Sequence, residues 1–188
     1  MRFEIIDNFL SEKEWQAQYD LFFSPDHMIK WNYHEVKHEP NSFFFQYMFQ
    51  KHRVYGDDET VFISPTNSSE DNIEHYDIAL EPILKNFPHQ ELLSARTNLF
   101  TRMNTNYSYE EPDPNGVGLH TDHGMQFKYL TMIYYVNTTN GGTYFANGKG
   151  AVQSIANRLV VFDGHTFHRH IYQTDEKARV ATNINIIV

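Results

Sequence analysis

From Leu92 onward the chain is written in short runs of β-branched, aromatic and aliphatic residues cut by turn chemistry, and this restricts it to a mainly β packing. The runs are 92–103, 126–136, 142–145, 151–155, 158–162 and 179–188. Between them stand Pro112-Asp113-Pro114-Asn115-Gly116, Asn140-Gly141-Gly142, Asn147-Gly148 and Ala156-Asn157, residues that supply turns. Strands this short and this closely spaced predict a sandwich or jelly roll. Ahead of them, Phe3 to Ile6 reads as a strand, and Ser11 with Glu14 forms a capping box for a helix through about Phe23, with Leu10, Trp15, Tyr19 and Phe22 as its buried stripe. Residues 24–72 read as long loops with some short strands, and a second helix is expected from near Glu74 to Phe87, broken or kinked at Pro82. Neither a repeat nor a linker divides the chain. The expectation is one domain over 1–188, with 1–91 supporting a jelly-roll core over 92–188.

Composition decides which chemistry such a core can carry. Cysteine is absent, which excludes disulfide scaffolds, thiolate metal sites and cysteine nucleophiles. Metal chemistry is left to nitrogen and oxygen, and the chain has 11 His. With 24 Asp and Glu against 15 Lys and Arg the formal charge is -9, which argues against a general nucleic-acid binder and against docking on anionic lipid. No apolar run approaches a membrane span and the start does not read as a secretion signal, so the expected place is the cytoplasm. The sequons at Asn67, Asn106 and Asn137 read as chance matches.

Within the strand-rich half stands His120-Thr121-Asp122. On an extended chain residues i and i+2 share a face, so an imidazole and a carboxylate here can converge on one metal ion. A second His from a distant strand would complete a 2-His-1-carboxylate facial triad, the usual ligand set of non-haem Fe(II) oxygenases. A rival H-x-D match, His75-Tyr76-Asp77, falls in the expected second helix, where i and i+2 diverge by about 200°; His75 reads as a surface helix residue. Three histidines compete for the third position, in Asp163-Gly164-His165-Thr166-Phe167-His168-Arg169-His170, and Arg179 follows on the last strand, where a guanidinium can grip a carboxylate through two parallel bonds.

Taken together, these residues resemble the Fe(II)/2-oxoglutarate dioxygenases, in particular the prolyl-4-hydroxylase-like branch found in animals, bacteria and phages, over roughly Ala95 to Val188. The pattern there is H-x-D, about 50 residues, His, and a basic residue about 10 positions on. His120, Asp122, His168 and Arg179 match it jointly, while His170 suits a shorter spacing used in animal oxygen-sensing members and stays open as the distal ligand. The resemblance implies a double-stranded β-helix of cupin type that uses Fe(II), 2-oxoglutarate and O2, with ascorbate as an auxiliary reductant. It implies His120, Asp122 and His168 as iron ligands, and Arg179 with Tyr135 on the distal carboxylate of the co-substrate. Ala181 replaces the small hydroxyl residue usual two positions after the basic one, which leaves Thr131 or Tyr135 to supply a neutral donor. Asn140-Gly141-Gly142-Thr143 is similar to a structural turn of the family, and Ile6-Asp7-Asn8-Phe9-Leu10-Ser11 to its usual opening. Asp122 argues against the halogenating relatives, which give up the carboxylate.

The implied activity is hydroxylation of a peptide or protein, with a prolyl residue as the favoured acceptor, or of a small molecule, with release of succinate and CO2. A non-catalytic cupin-like binding module and an oxygenase acting on nucleotides stand as alternatives. Specificity is expected in residues 24–72 and in the 107–118 loop, where Tyr107 and Tyr109 could gate the cavity mouth. Arg102 and Asn104 could bind the proximal carboxylate or end a solvated strand, and His123 could support the metal site or sit in a turn. Trp15 and Trp31 read as packing residues.

Overall fold

The computed structural model describes residues 2–27, 29–35, 43–49, 53–55, 61–63, 71–103, 118–124, 128–146 and 148–188. Twelve strands and three helices follow in the order β1 (Phe3–Ile6), α1 (Glu12–Phe23), β2 (Asn32–Glu35), β3 (Phe43–Met48), β4 (Arg53–Tyr55), β5 (Val61–Ile63), α2 (Asp71–Ala79), α3 (Glu81–Leu84), β6 (Glu91–Thr101), β7 (Leu130–Tyr135), β8 (Gly142–Phe145), β9 (Gly150–Gln153), β10 (Arg158–Asp163), β11 (His168–Ile171) and β12 (Ala178–Ile187). A seven-stranded sheet runs β1-β10-β7-β12-β6-β3-β2, a three-stranded sheet runs β11-β8-β9, and β4 pairs with β5. The pairings within the two larger sheets are antiparallel. The result is a jelly roll with helices laid against one sheet.

Strand alternation divides the core in two. On the helix side of the large sheet, Met132, Tyr134, Leu159, Val161, Val180 and Ile184 pack with Leu10, Leu21, Phe22, Leu80 and Ile83. On the opposite side, Ile133, Tyr135, Val160, Phe162 and Ala181 meet Phe145 and Val152 of the small sheet. Both faces of β7, β10 and β12 are therefore covered, which explains why β7 and the middle of β10 read as nearly continuous apolar runs.

The capping box forms as expected: the Ser11 hydroxyl accepts from the Glu14 N–H while the Glu14 carboxylate accepts from the Ser11 N–H at 3.1 Å. Of the expected stripe of α1, Leu10 and Phe22 are buried and Trp15 packs against the same core, donating its indole N–H to the Val136 carbonyl at 2.9 Å, whereas Tyr19 is exposed, stacking on Phe23 at 4.7 Å, and Gln18 and Leu21 are buried instead. The expected second helix divides into α2 and α3, with Pro82 in the first turn of α3, where its missing N–H costs nothing. His75 does not lie on the surface: it is buried, its Nδ1 2.8 Å from the Tyr47 hydroxyl.

Strand β11 carries no sequence signal, since His168-Arg169-His170-Ile171 has little β propensity. It forms because β8 offers it a partner edge, pairing His168 with Phe145 and Ile171 with Gly142. Gly142 is required there: a Cβ at this position would lie 2.1 Å from the Val152 carbonyl oxygen on the neighbouring β9.

Candidate metal centre and co-substrate cavity

The register β6/β12 sets Arg96 opposite Asn183, Asn98 opposite Ala181 and Phe100 opposite Arg179. The period of two then sends all six toward the inside of the roll, where with His120, His168 and His170 they line a cavity of about 340 Å³. Strand β3 extends the wall by Phe44 and Gln46, and Gln46 donates to the Asn98 side-chain oxygen at 3.1 Å.

His120 and His168 approach through backbone pairing. Each N–H donates to the other's carbonyl at 3.0 Å, and the two rings stand 4.8 Å apart. The H-x-D segment is not an extended strand throughout: His120 alone makes the bridge, and Asp122 lies in a bend. The carboxylate turns inward because two donors hold it. Arg96 Nη2 donates to Oδ1 and Asn183 Nδ2 donates to Oδ2 at 3.0 Å. One ligand atom each of His120, Asp122 and His168 lies within 4.8 Å of the other two.

The tautomers follow from backbone contacts. His120 Nδ1 lies 3.0 Å from the Gly118 carbonyl and His168 Nδ1 lies 3.0 Å from the Thr166 carbonyl, each two residues earlier. An imidazole that donates from Nδ1 presents its lone pair at Nε2, and His168 Nε2 stands 3.8 Å from Asp122 Oδ2. Burial pushes the His168 imidazole below its ordinary range against the pull of Asp122, which favours the neutral ligand form. Burial would push the Asp122 carboxyl up, but the charge of Arg96 and the hydrogen bond from Asn183 hold it well below the usual carboxylate range. Two neutral imidazoles and one ionised carboxylate are the donor set that suits Fe(II).

His170, the competing distal histidine, faces the same cavity but is not among the three clustered ligand groups. Its ring packs 5.0 Å from Phe100 and 4.7 Å from Tyr172, and burial, then the charge of Arg179, lowers its pKa to about 3. His165 lies 5.5 Å from the Tyr129 ring, in the turn before β11. Arg179 is 1% exposed and lies over the Phe100 ring at 4.1 Å, across the cavity wall formed by β6 and β12. Tyr135 is wholly buried on the inner face of β7 and donates its hydroxyl to Thr143 Oγ1 at 2.7 Å; Thr143 is the one of the two that lines the cavity. Thr131 does not line it either. Its hydroxyl donates to Asn185 at 2.7 Å, Asn185 donates to Asn183 at 2.9 Å and to Ser94 at 3.0 Å, and Asn183 reaches Asp122.

His123 is 3% exposed, with Nε2 3.0 Å from the Ser94 hydroxyl and its pKa pushed down to about 4 by burial. Arg102 is exposed and stands apart from the cavity lining. Trp31 packs at 6.0 Å from Phe22. Asn104, Tyr107 and Tyr109 lie outside the described residues.

Sequence reasoning missed Arg96 and the pair Asn183 and Asn185. The available signal was parity: an arginine among Leu92, Leu93, Ala95 and Leu99, and Arg179, Asn183 and Asn185 at one parity of the last strand, mark one polar inner face.

Solved structures with this architecture include oxygenases and prolyl hydroxylases. The chain is similar to an oxidoreductase of the 2OG-Fe(II) oxygenase family from Burkholderia pseudomallei, with a TM-score of 0.61 at 8% identity over 98% of this chain and 85% of the other. It is similar to a prolyl-4-hydroxylase from Pseudomonas putida, with a TM-score of 0.57 at 13% identity over 99% and 92%. A prolyl hydroxylase from Trichoplax adhaerens, solved in complex with a peptide fragment of the hypoxia inducible factor oxygen degradation domain, gives a TM-score of 0.53 at 13% identity over 98% and 83%. No family model matches the sequence, and no curated protein is significantly similar to it. The fold is thus that of the 2OG-Fe(II) oxygenases, in the form that the prolyl hydroxylases share. Among the described residues no helix is long and apolar enough to cross a membrane.

Proposed function

We propose that this chain is an Fe(II)- and 2-oxoglutarate-dependent oxygenase that hydroxylates its substrate. The observation that carries the reading is the His120, Asp122 and His168 cluster, with both Nδ1 atoms against backbone carbonyls and both Nε2 atoms left for a metal. Fe(II) held there would couple the use of O2 to oxidative decarboxylation of 2-oxoglutarate, yielding succinate, CO2 and a hydroxylated product.

The chain's own groups have defined tasks in that scheme. Asp122 contributes one negative charge, so the site stays electrophilic and leaves adjacent positions open for the co-substrate. Arg179, buried in the same cavity, binds the distal carboxylate of 2-oxoglutarate through charge-assisted bonds strengthened by exclusion of water. Tyr135 holds Thr143 in place on the wall, so that Thr143 is the neutral donor presented to the co-substrate. Thr131, through Asn185 and Asn183, keeps Asp122 in its rotamer. Apolar walls from Ile133 and Ala181 exclude water beside the metal.

A peptide or protein is the favoured substrate, with a prolyl residue as the acceptor. Support comes from the likeness to prolyl hydroxylases, one of them holding a peptide, and from the charge of -9, which disfavours nucleic acid. A reducing cytoplasm is the compartment that keeps iron as Fe(II).

Anaerobic titration of the purified protein with Fe(II) and then 2-oxoglutarate tests the reading. One metal and one co-substrate should bind per chain, and added peptides should gain one oxygen only when both are present. A protein that binds neither is not such an oxygenase.

A further inference from the structure

Asp122 is held by a cation as well as by a neutral donor. Its side chain is fully buried, and Arg96, with 17% of its side chain exposed, forms an ion pair with Oδ1. Asn183 donates to Oδ2 at 3.0 Å, and the same Oδ2 is the oxygen that faces His168 Nε2 at 3.8 Å. The strand register explains how one carboxylate meets both groups. Arg96 on β6 and Asn183 on β12 are Cα partners, so their side chains rise side by side from one face of the sheet.

We propose that Arg96 is a positioning residue that serves as the resident counter-cation of Asp122: it holds the carboxylate and the site assembled while no metal is present, bonding Oδ1 and not the Oδ2 that faces His168. This rests on the oxygenase reading above. A buried carboxylate without a partner is strongly unfavourable, and the metal cannot be that partner before it arrives. The guanidinium fills the interval. It does so at Oδ1, while Oδ2 is the oxygen that faces His168 Nε2, so it need not leave when the metal binds.

Melting curves of the metal-free and Co(II)-loaded protein test this, using wild type, R96M, R96K, D122N and R96M/D122N. Without metal, R96M should melt roughly 10 °C below wild type. R96K should recover at least half of that loss, and R96M should cost far less in the D122N background, where no charge needs a partner. Co(II) should raise the melting temperature of R96M more than that of wild type, because the metal then supplies the missing charge. If R96M alone does not fold, folding of R96M/D122N supports the inference and failure of both overturns it. A metal-free R96M that melts with wild type, or a loss of equal size in the D122N background, also overturns it. Absence of Co(II) uptake by wild type overturns the metal reading instead, since the coupling of Arg96 to Asp122 is read without metal.

Discussion

His120 and His168 form a hydrogen-bonded antiparallel pair, each backbone N–H donating to the other's carbonyl at 3.0 Å, and this sets their rings 4.8 Å apart on one side of the roll. Ligand spacing is thereby held by main chain, which no side-chain substitution removes. His170, two residues further along β11, pairs with Thr143 and stands among aromatic rings instead.

The two histidines of β11 should therefore separate cleanly in a metal titration. His120→Ala, Asp122→Ala and His168→Ala are each expected to weaken Co(II) or Mn(II) binding by well over tenfold, while His170→Ala leaves it within about threefold of wild type. Calorimetry measures both. Loss of binding in His170→Ala with retention in His168→Ala would reverse the assignment of the distal ligand.

Arg179→Met should leave metal affinity unchanged and weaken 2-oxoglutarate roughly 10- to 100-fold, the size of a lost charge-assisted pair of bonds. Titration of the metal-loaded protein with 2-oxoglutarate reads this directly. Arg179→Lys should fall between the two, because an ammonium keeps the charge and loses the fork.

Acid should destabilise the metal-free protein through His170. Its pKa is depressed to about 3 by burial and by Arg179, from the ordinary value of 6.5. The unfolded chain then takes up a proton that the folded chain refuses, so stability is complete above about pH 6.5 and declines as pH falls toward 3. His170→Phe, placed among Phe44, Phe100 and Tyr172, should flatten that decline between pH 6.5 and 4.5, as followed by urea unfolding at each pH. An unchanged slope would mean that another group titrates.

Asn157 ties the start of the chain to the roll. At a φ of 60° it accepts from the Leu10 N–H at 2.8 Å, donates to the Leu10 carbonyl at 2.9 Å and accepts from the Tyr134 hydroxyl at 3.0 Å. Asn157→Ala loses all three bonds and puts a residue less tolerant of the left-handed backbone than asparagine at this position, so it should cost about 3 kcal/mol. Asn157→Gly loses the bonds alone and should cost about 1 kcal/mol less. Thermal unfolding compares them.

The class of fold was legible because it depends on local chemistry. Short β runs, the Asn140-Gly141-Gly142 turn and the Ser11 to Glu14 capping box act within a few residues, and the structure shows the sheets, the turn and the cap. His120, Asp122, His168 and Arg179 could be singled out by the joint pattern they share with the family they resemble, and the structure brings the first three together. Three things were decided only by the fold. β11 exists because β8 presents an unpaired edge, whatever the propensity of His168-Arg169-His170. Tyr135 and Thr131 face inward as parity requires, yet neighbouring Thr143 and Asn185 take their hydroxyls. Arg96 meets Asp122 because β6 and β12 pair in one register and a bend brings the carboxylate across. Residue types and their spacing state which groups can do chemistry; which of them touch depends on strand register and on the side chains that reach them first, and both are settled only when distant segments pack.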